Sequence, residues 1–288
     1  RAESAGLLRE NAVGLQAMTT DFQTGADHMT APAAPVRLIC IGTHHKTGTL
    51  WMRWVFRAMC YKLGLPFGFG KTAAADEGRN VIAHWSSDFA PETLSRGDMR
   101  GLHLIRDPRD VLISGARYHA RVPDAREPQL ASPDPALGGK SYLAHMRSLP
   151  DLAAQLRFEM AGRHAQTMAE MTAWDYNRDT FAEIRYEDLM ADQDGALFAD
   201  ILHFLGFDAE AIDIGRACFL DHSLFGSMTH RDRIGETLDI HIDSGAPARW
   251  RDELPRAIAQ DYAETFGADL VALGYETHPT DWVQETRP

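Results

Sequence analysis

Lys46, Gly48 and two threonines, Thr47 and Thr49, stand together in the ten residues GTHHKTGTLW, Gly42–Trp51. A cation, two hydroxyls and a glycine on one short loop are groups that hold a phosphate. The run before them, VRLICI, is apolar and strand-like, and LWMRWVFRAM after them has helical spacing. A loop in that position aims backbone N–H groups at whatever lies over the helix N-terminus, and the helix dipole favours an anion there. Gly48 lets backbone approach the ligand, Lys46 adds a point charge, and Trp51 offers a flat face for a ring. The ATP-binding form of such a loop places lysine directly after its second glycine. Lys46 instead precedes Gly48 by two positions.

A second group of polar residues is RDPRDVLISGARYH. Arg106 closes an apolar run, and Ser114 follows eight residues later, about two helical turns on. Arginine is the fork-shaped donor suited to phosphate oxygens, and it sits at the carboxyl end of a strand, where open α/β sheets take ligands. His84 closes another apolar run, NVIAH, twenty-two positions before Arg106. Imidazole is the natural base near neutral pH. His44, His45 and His103 are rivals for that role.

In K-T-G-T-L-W the chain resembles the sulfotransferases that use 3′-phosphoadenosine-5′-phosphosulfate (PAPS), whose loop usually reads K-S-G-T-T-W; Thr47 keeps a hydroxyl and Leu50 loses one. Arg106, Asp107, Pro108, Arg109, Asp110 and Ser114 match that family's R-[ND]-P-[KR]-D-x-x-x-S. The histidine stands at the family's place, but AHWSSD lacks the neighbouring Thr and Pro of T-H-x-P, and Ile82 occupies the site of an assisting lysine. IRYEDL resembles the family's Y-E-D-[LM], and HSLFGSM resembles T-S-F-x-x-M at Ser223 and Phe225. Of the terminal R-K-G-x-x-G-x-W, only Gly245 and Trp250 remain in register, with Asp243 in place of the arginine. Arg249 or Arg251 is then the substitute.

The resemblance implies sulfonate transfer from PAPS to a hydroxyl or amine, with no metal. Lys46 stabilises the leaving phosphate oxygen and His84 is the general base. Thr47, Gly48, Thr49 and Leu50 surround the 5′-phosphate; Arg106 and Ser114 clamp the 3′-phosphate, with Ser114 also counted among the catalytic groups. Trp51 and Tyr186 frame the adenine, and Ser223, Phe225 and Gly245 flank the nucleotide. Two other readings share these features: a P-loop kinase, and a nucleotide-binding module without chemistry.

These residues need a scaffold. Strand-like runs at Val36–Gly42, Asn80–Trp85, Met99–Ile105 and Thr180–Tyr186 alternate with helical segments at Thr49–Leu63, Pro108–Arg121, Leu152–Trp174, Asp194–Gly206, Ala209–Cys218 and Leu254–Leu273. That order predicts an α/β fold, a P-loop-like three-layer sandwich with a central parallel sheet and helices on both faces. Residues 1–35 read as an N-terminal tail, flexible or partly non-native, with a short helix near Ala5–Met18 and a candidate natural start at Met29; residues 36–288 form one domain. Loops at Phe67–Gly78, Val122–Gly139 and Ser227–Ala248 are expected to shape the acceptor pocket, with Phe67, Phe69, Trp85 and His119 as candidate lining. The Val122–Gly139 loop, rich in Pro, Asp and Gly, is expected to move.

Bulk properties narrow the partners. The 288 residues carry a formal charge of −12, which argues against a general nucleic-acid binder while leaving room for a locally basic pocket. Cys40, Cys60 and Cys218 have no metal-ligand spacing and read as buried thiols in a reducing, cytoplasmic setting. No apolar run reaches membrane-spanning length. A small-molecule, carbohydrate or other acceptor is the expected partner, and a homodimer is compatible.

Overall fold

The computed structural model describes residues 29–72, 78–223 and 245–287. Five parallel strands make the sheet: β1 (Leu38–Thr43), β2 (Phe67–Phe69), β3 (Asn80–His84), β4 (Met99–Ile105) and β5 (Phe181–Arg185), in the order β2-β3-β1-β4-β5. β1 is central because it is apolar on both faces, as a strand covered from both sides must be. Its alternate residues enter different cores. Ile39 and Ile41 pack with α1 (Thr49–Leu63), while Leu38 and Cys40 pack with Ile82, Phe89, Met99 and Phe181 on the opposite side. The three-layer α/β expectation therefore holds.

Strand β2, at the sheet edge, was not expected; three residues carry too little periodicity to be seen. Next come the one-turn α2 (Pro91–Leu94), α3 (Pro108–Arg121) and α4 (Tyr142–Ser148), of which only α3 is expected from the sequence. The predicted helix Leu152–Trp174 is broken instead. It runs as α5 (Leu152–Glu159), a wider-wound turn at Met160–His164, and α6 (Ala165–Ala173). Gly162 takes non-helical dihedrals there, φ −111° and ψ −108°. The Tyr142 ring lies 3.0 Å from where its Cβ would be, so a larger residue has no room. The break lets Glu159 and His164, five positions apart, both point inward and be buried.

Tyr186 lies outside β5 and opens α7 (Tyr186–Ala191), followed by α8 (Ala196–Phe204) and α9 (Ala209–His222). The predicted terminal helix starts later than expected, because Pro255 separates α10 (Trp250–Glu253) from α11 (Arg256–Ala272). Helices α1, α8 and α9 build the core on one face of the sheet; α3, α5, α6 and α11 share the second large core. All three cysteines are buried free thiols. No helix among the described residues is long and apolar enough to cross a membrane.

Candidate active site

The β1–α1 loop is held by its own hydroxyls. Thr47 Oγ1 accepts from His44 N (2.8 Å) and donates toward His44 O (3.0 Å) and Leu104 O (3.2 Å); Thr49 Oγ1 donates to His44 O (2.8 Å) and pairs with Thr43 Oγ1 (2.9 Å). Thr47 is fully buried. Its hydroxyl thus sets the loop's shape, which leaves an incoming anion to the backbone and to Lys46. Two residues adopt left-handed dihedrals: Lys46 (φ 64°) and Gly48 (φ 110°). At Gly48 a Cβ would stand 3.0 Å from Leu104 Cδ2 and 3.3 Å from the Tyr186 ring. The first intrahelical bond of α1 runs from Met52 N to Gly48 O (3.0 Å), so the Thr49 and Leu50 amides lie ahead of it at the helix mouth.

Lys46 Nζ rests 4.2 Å above the Tyr118 ring centre. Burial, reinforced by the Arg106 guanidinium, pushes its pKa down to about 7. Arg106 reaches the same loop: Nη1 donates to Lys46 O at 3.4 Å and Nη2 to Ala246 O at 3.4 Å, while the guanidinium stacks 4.4 Å over Tyr186. Arg106 is 4% exposed, and its Nε has no hydrogen-bond partner. Asp110 lies 4.0 Å from Nη2; burial and then Asp107 raise its carboxyl to about 6 against the pull of Arg106.

The rest of the arginine-rich motif is structural. Asp107 caps α3 by accepting from Arg109 N (3.0 Å), and it takes the Arg109 guanidinium at both oxygens (2.9 and 2.8 Å). Arg109 also pairs with Glu276 and stacks 3.7 Å over Trp250. Asp110 Oδ1 accepts from Trp250 N (3.0 Å). These contacts bind the start of α3 to the terminal segment, which holds Arg106 in place. Ser114 is half-buried one helical face on.

Tyr186 donates its hydroxyl to Gly245 O at 2.8 Å. Trp51 is 9% exposed, stacked on Phe219 (ring centres 5.2 Å apart) and edge-on to Tyr186 (5.8 Å). One face of Trp51 is thus already covered, and Tyr186 and Arg106 form the flat wall beside the loop. Ser223 is buried and donates to Leu220 O (2.9 Å) at the end of α9. Phe225, Asp243, Ala5–Met18 and most of Ser227–Ala248 lie outside the described residues.

The histidines fall into three environments. His84 Nδ1 accepts from two backbone amides, Ser86 N (3.3 Å) and Asp88 N (3.2 Å). Its neutral ring therefore carries the proton on Nε2 and has no lone pair to offer there. Burial, with Lys71 adding, lowers its pKa, and Asp88 opposes this. Taking a proton at Nδ1, as the expected general base would, breaks both backbone bonds. His44 and His103 are buried and bonded to each other (Nε2···Nε2 2.9 Å), with His103 Nδ1 on Glu183 Oε2 at 2.6 Å and its ring stacked on Trp174. Burial drives His44 down to about 4. That pair braces the loop from beneath.

His45 stacks on His119 with rings parallel to within 2° and centres 5.0 Å apart. Glu159 Oε2 accepts from His119 Nδ1 (2.8 Å) and from the Tyr142 hydroxyl (2.8 Å). Sequence reading placed His119 only among acceptor-pocket linings and missed Glu159. Gly162 was the one signal available, since a glycine inside a helical run marks a possible change of winding.

The sulfotransferase domain profile matches residues 68–274. The chain belongs to the sulfotransferase family. The match starts beyond Lys46, so the phosphate loop rests on its own geometry. No curated protein matches the chain significantly. Among solved structures, this sulfotransferase is similar to mouse sulfotransferase SULT7A1 complexed with PAP, 3′-phosphoadenosine-5′-phosphate, at 16% identity and TM-score 0.54, over 83% of this chain and 86% of that one. It is also similar to retinol dehydratase in a complex with retinol and PAP, at 15% identity and TM-score 0.50, over 85% and 84%. Those likenesses concern the fold.

Two open points of the sulfotransferase sequence gain geometry. Arg249 is buried at 6% exposure, ion-paired to Glu253 (3.1 Å), and its charge acts on both Asp110 and Tyr186. Arg251 is exposed and paired with Glu285 (2.8 Å). Near His84, a small cavity is lined by Thr43, Thr49, Arg53, Phe69, His84 and Trp85, among others. Phe67, Phe69 and Trp85 form an aromatic row there, with Trp85 56% exposed. The Val122–Gly139 loop contains two short 3-10 turns and is anchored by the Tyr118 hydroxyl on Glu127 Oε1 (2.6 Å).

Proposed function

We propose that this sulfotransferase moves a sulfonate group from PAPS to the hydroxyl or amine of a small-molecule acceptor. One observation carries the reading: Arg106 bonds the backbone carbonyl of Lys46, so a guanidinium from β4 and the ammonium of the β1 loop serve one site. A bisphosphate nucleotide suits that pair, since each cation takes one phosphate. The fit is supported by the unsatisfied, buried Arg106 Nε and by the Thr49 and Leu50 amides that lie ahead of the first helical bond of α1.

The α1 amides and Lys46 hold the 5′ end, and Lys46 neutralises the charge that builds on the leaving phosphate oxygen. Arg106 and Ser114 hold the 3′-phosphate, and Arg249, the buried candidate of the two, stands in for the missing arginine. Tyr186 flanks the base, with Trp51 edge-on beside it. Gly245 fixes Tyr186, while Thr47 and Ser223 shape backbone. His84, with a proton on Nε2, donates a hydrogen bond to the sulfonate or the acceptor oxygen. The aromatic row beside it suits a flat or apolar acceptor.

The test is thermal shift with PAP against ATP–Mg²⁺, followed by ³⁵S transfer from labelled PAPS into a panel of alcohols, phenols, amines and sugars. PAP is expected to raise Tm and ATP–Mg²⁺ to leave it unchanged. Stabilisation by ATP–Mg²⁺ alone would return the chain to the kinase reading.

A further inference from the structure

Resting on that reading, the chemistry still needs a base, because His84 has no lone pair available at Nε2. We propose that His119 is the general base of the transfer and that Glu159 is the positioning residue that makes it one.

The protonation pattern follows from hydrogen bonding. Glu159 accepts from His119 Nδ1 at 2.8 Å, so the neutral ring has its proton on Nδ1 and its lone pair on Nε2. That Nε2 is buried and has no hydrogen-bond partner, although His119 as a whole is 0% exposed. A buried imidazole nitrogen without a partner is a standing cost unless something binds it. The arrangement around Glu159 is equally specific. Tyr142 donates to the same carboxylate oxygen at 2.8 Å, and the other oxygen lies against Gly115, whose Cβ would come within 2.6 Å of it. The glycine in α3 and the widened turn after α5 thus make room for one buried carboxylate aimed at one imidazole.

Position favours the same assignment. His119 sits on α3, the helix that begins beside Arg106 and carries Ser114. His45, next to Lys46, covers one face of its ring and leaves the edge with Nε2 uncovered by that contact. Tyr118, adjacent in sequence, carries the Lys46 ammonium on its ring. His45, Lys46, Tyr118 and His119 thus lie in one cluster.

In the step itself, the acceptor oxygen or nitrogen forms a bond to sulfur as the bond from sulfur to the bridging phosphate oxygen breaks. The bonding pair leaves with the 5′-phosphate of PAP, beside Lys46. The acceptor proton passes to His119 Nε2, giving an imidazolium that Glu159 stabilises, and is later released to water.

His45, His119 and Glu159 also offer ligand atoms within 4.8 Å of one another, the spacing of a metal site. The proton acceptor is the better reading, because Glu159 already holds the other nitrogen of His119 and Lys46 adds positive charge next door.

The test combines spectroscopy with kinetics. In the ¹⁵N-labelled wild-type protein, long-range ¹H–¹⁵N correlation should show His119 protonated at Nδ1 and His84 at Nε2. Glu159→Gln keeps the shape, and its carbonyl can still accept from His119 Nδ1 and the Tyr142 hydroxyl, but it removes the negative charge that stabilises the imidazolium. With ³⁵S-PAPS and an unactivated primary alcohol, Glu159→Gln should lower kcat by about 10²–10⁴-fold while the PAP-induced thermal shift persists. With p-nitrophenol, which ionises unaided near neutral pH, the loss should be at least tenfold smaller. A wild-type His119 found protonated at Nε2, or equal losses with both acceptors, overturns the assignment while leaving the transferase reading intact. A wild-type protein that neither binds PAP nor consumes PAPS overturns both.

Discussion

Binding of PAP should weaken steeply as pH rises above 7, and Lys46 sets the size of the effect. Burial and the Arg106 guanidinium hold its pKa near 7, several units below an ordinary lysine. A bound 5′-phosphate reverses the balance by favouring the ammonium. The charged form makes up about half of the free protein at pH 7 and roughly 3% at pH 8.5. Nucleotide phosphates are already close to fully ionised over this range, with a second pKa near 6. The Kd for PAP should thus rise roughly 15-fold between pH 7 and 8.5, equivalent to about 1.6 kcal/mol. Binding above pH 7 must take up a proton, which calorimetry in buffers of different ionisation enthalpy reads directly. Asp110 and Glu187, raised by burial to about 6 and about 7, also answer to a nearby anion. Lys46→Arg isolates the lysine, since a guanidinium stays charged throughout, and should flatten most of the profile. The sign for folding is opposite. A lysine whose folded pKa is depressed leaves the unfolded chain holding more protons from about pH 7 up to the ordinary lysine range. Its contribution to the stability of the free protein therefore increases across that window. A Kd independent of pH with no proton uptake would show that Lys46 does not share a site with Arg106 and the nucleotide.

Arg109→Met removes the buried partner of Asp107 and Glu276. Stranding those carboxylates should cost about 3–5 kcal/mol, a fall in Tm of roughly 10 °C for a chain of this size; thermal unfolding followed by circular dichroism checks it, and a fall under 3 °C would refute the structural role. Gly115→Ala gains about 1 kcal/mol of helix propensity but places a methyl 2.6 Å from Glu159 Oε1. Tm should change little while sulfonation of an alcohol drops at least tenfold, because Glu159 is pushed off His119; an unchanged rate would show that the carboxylate has slack to move.

The sequence made the scaffold legible where pattern and chemistry coincide. β4 and α3 have the predicted bounds, Met99–Ile105 and Pro108–Arg121, because an apolar run ends at Arg106 and a proline and an N-capping aspartate start the helix. Helix α1 likewise has its predicted bounds, Thr49–Leu63, closed by Gly64 as a left-handed C-cap. What stayed hidden is set by contacts distant in the chain. The winding change at Gly162 is decided by the Tyr142 ring from α4, and the burial of Glu159 by the absent side chain at Gly115.

The site shows the same division more sharply. Residue types at fixed spacing picked out Lys46 and Arg106 as cations for one anion, and the folded chain joins them through a single hydrogen bond. Whether a histidine is an acid or a base is not a property of its type or its place in a motif. It depends on which nitrogen is already engaged. Two backbone amides in the turn after β3 take Nδ1 of His84, and a carboxylate from α5 takes Nδ1 of His119. Both rings bond through the same atom, but one bond is accepted and the other donated, and this difference moves the free lone pair from the expected histidine to the other. A pattern of letters registers both as histidine. Only the three-dimensional neighbours, amide in one case and carboxylate in the other, assign the proton, and the assignment of the proton decides which of the two takes part as the base.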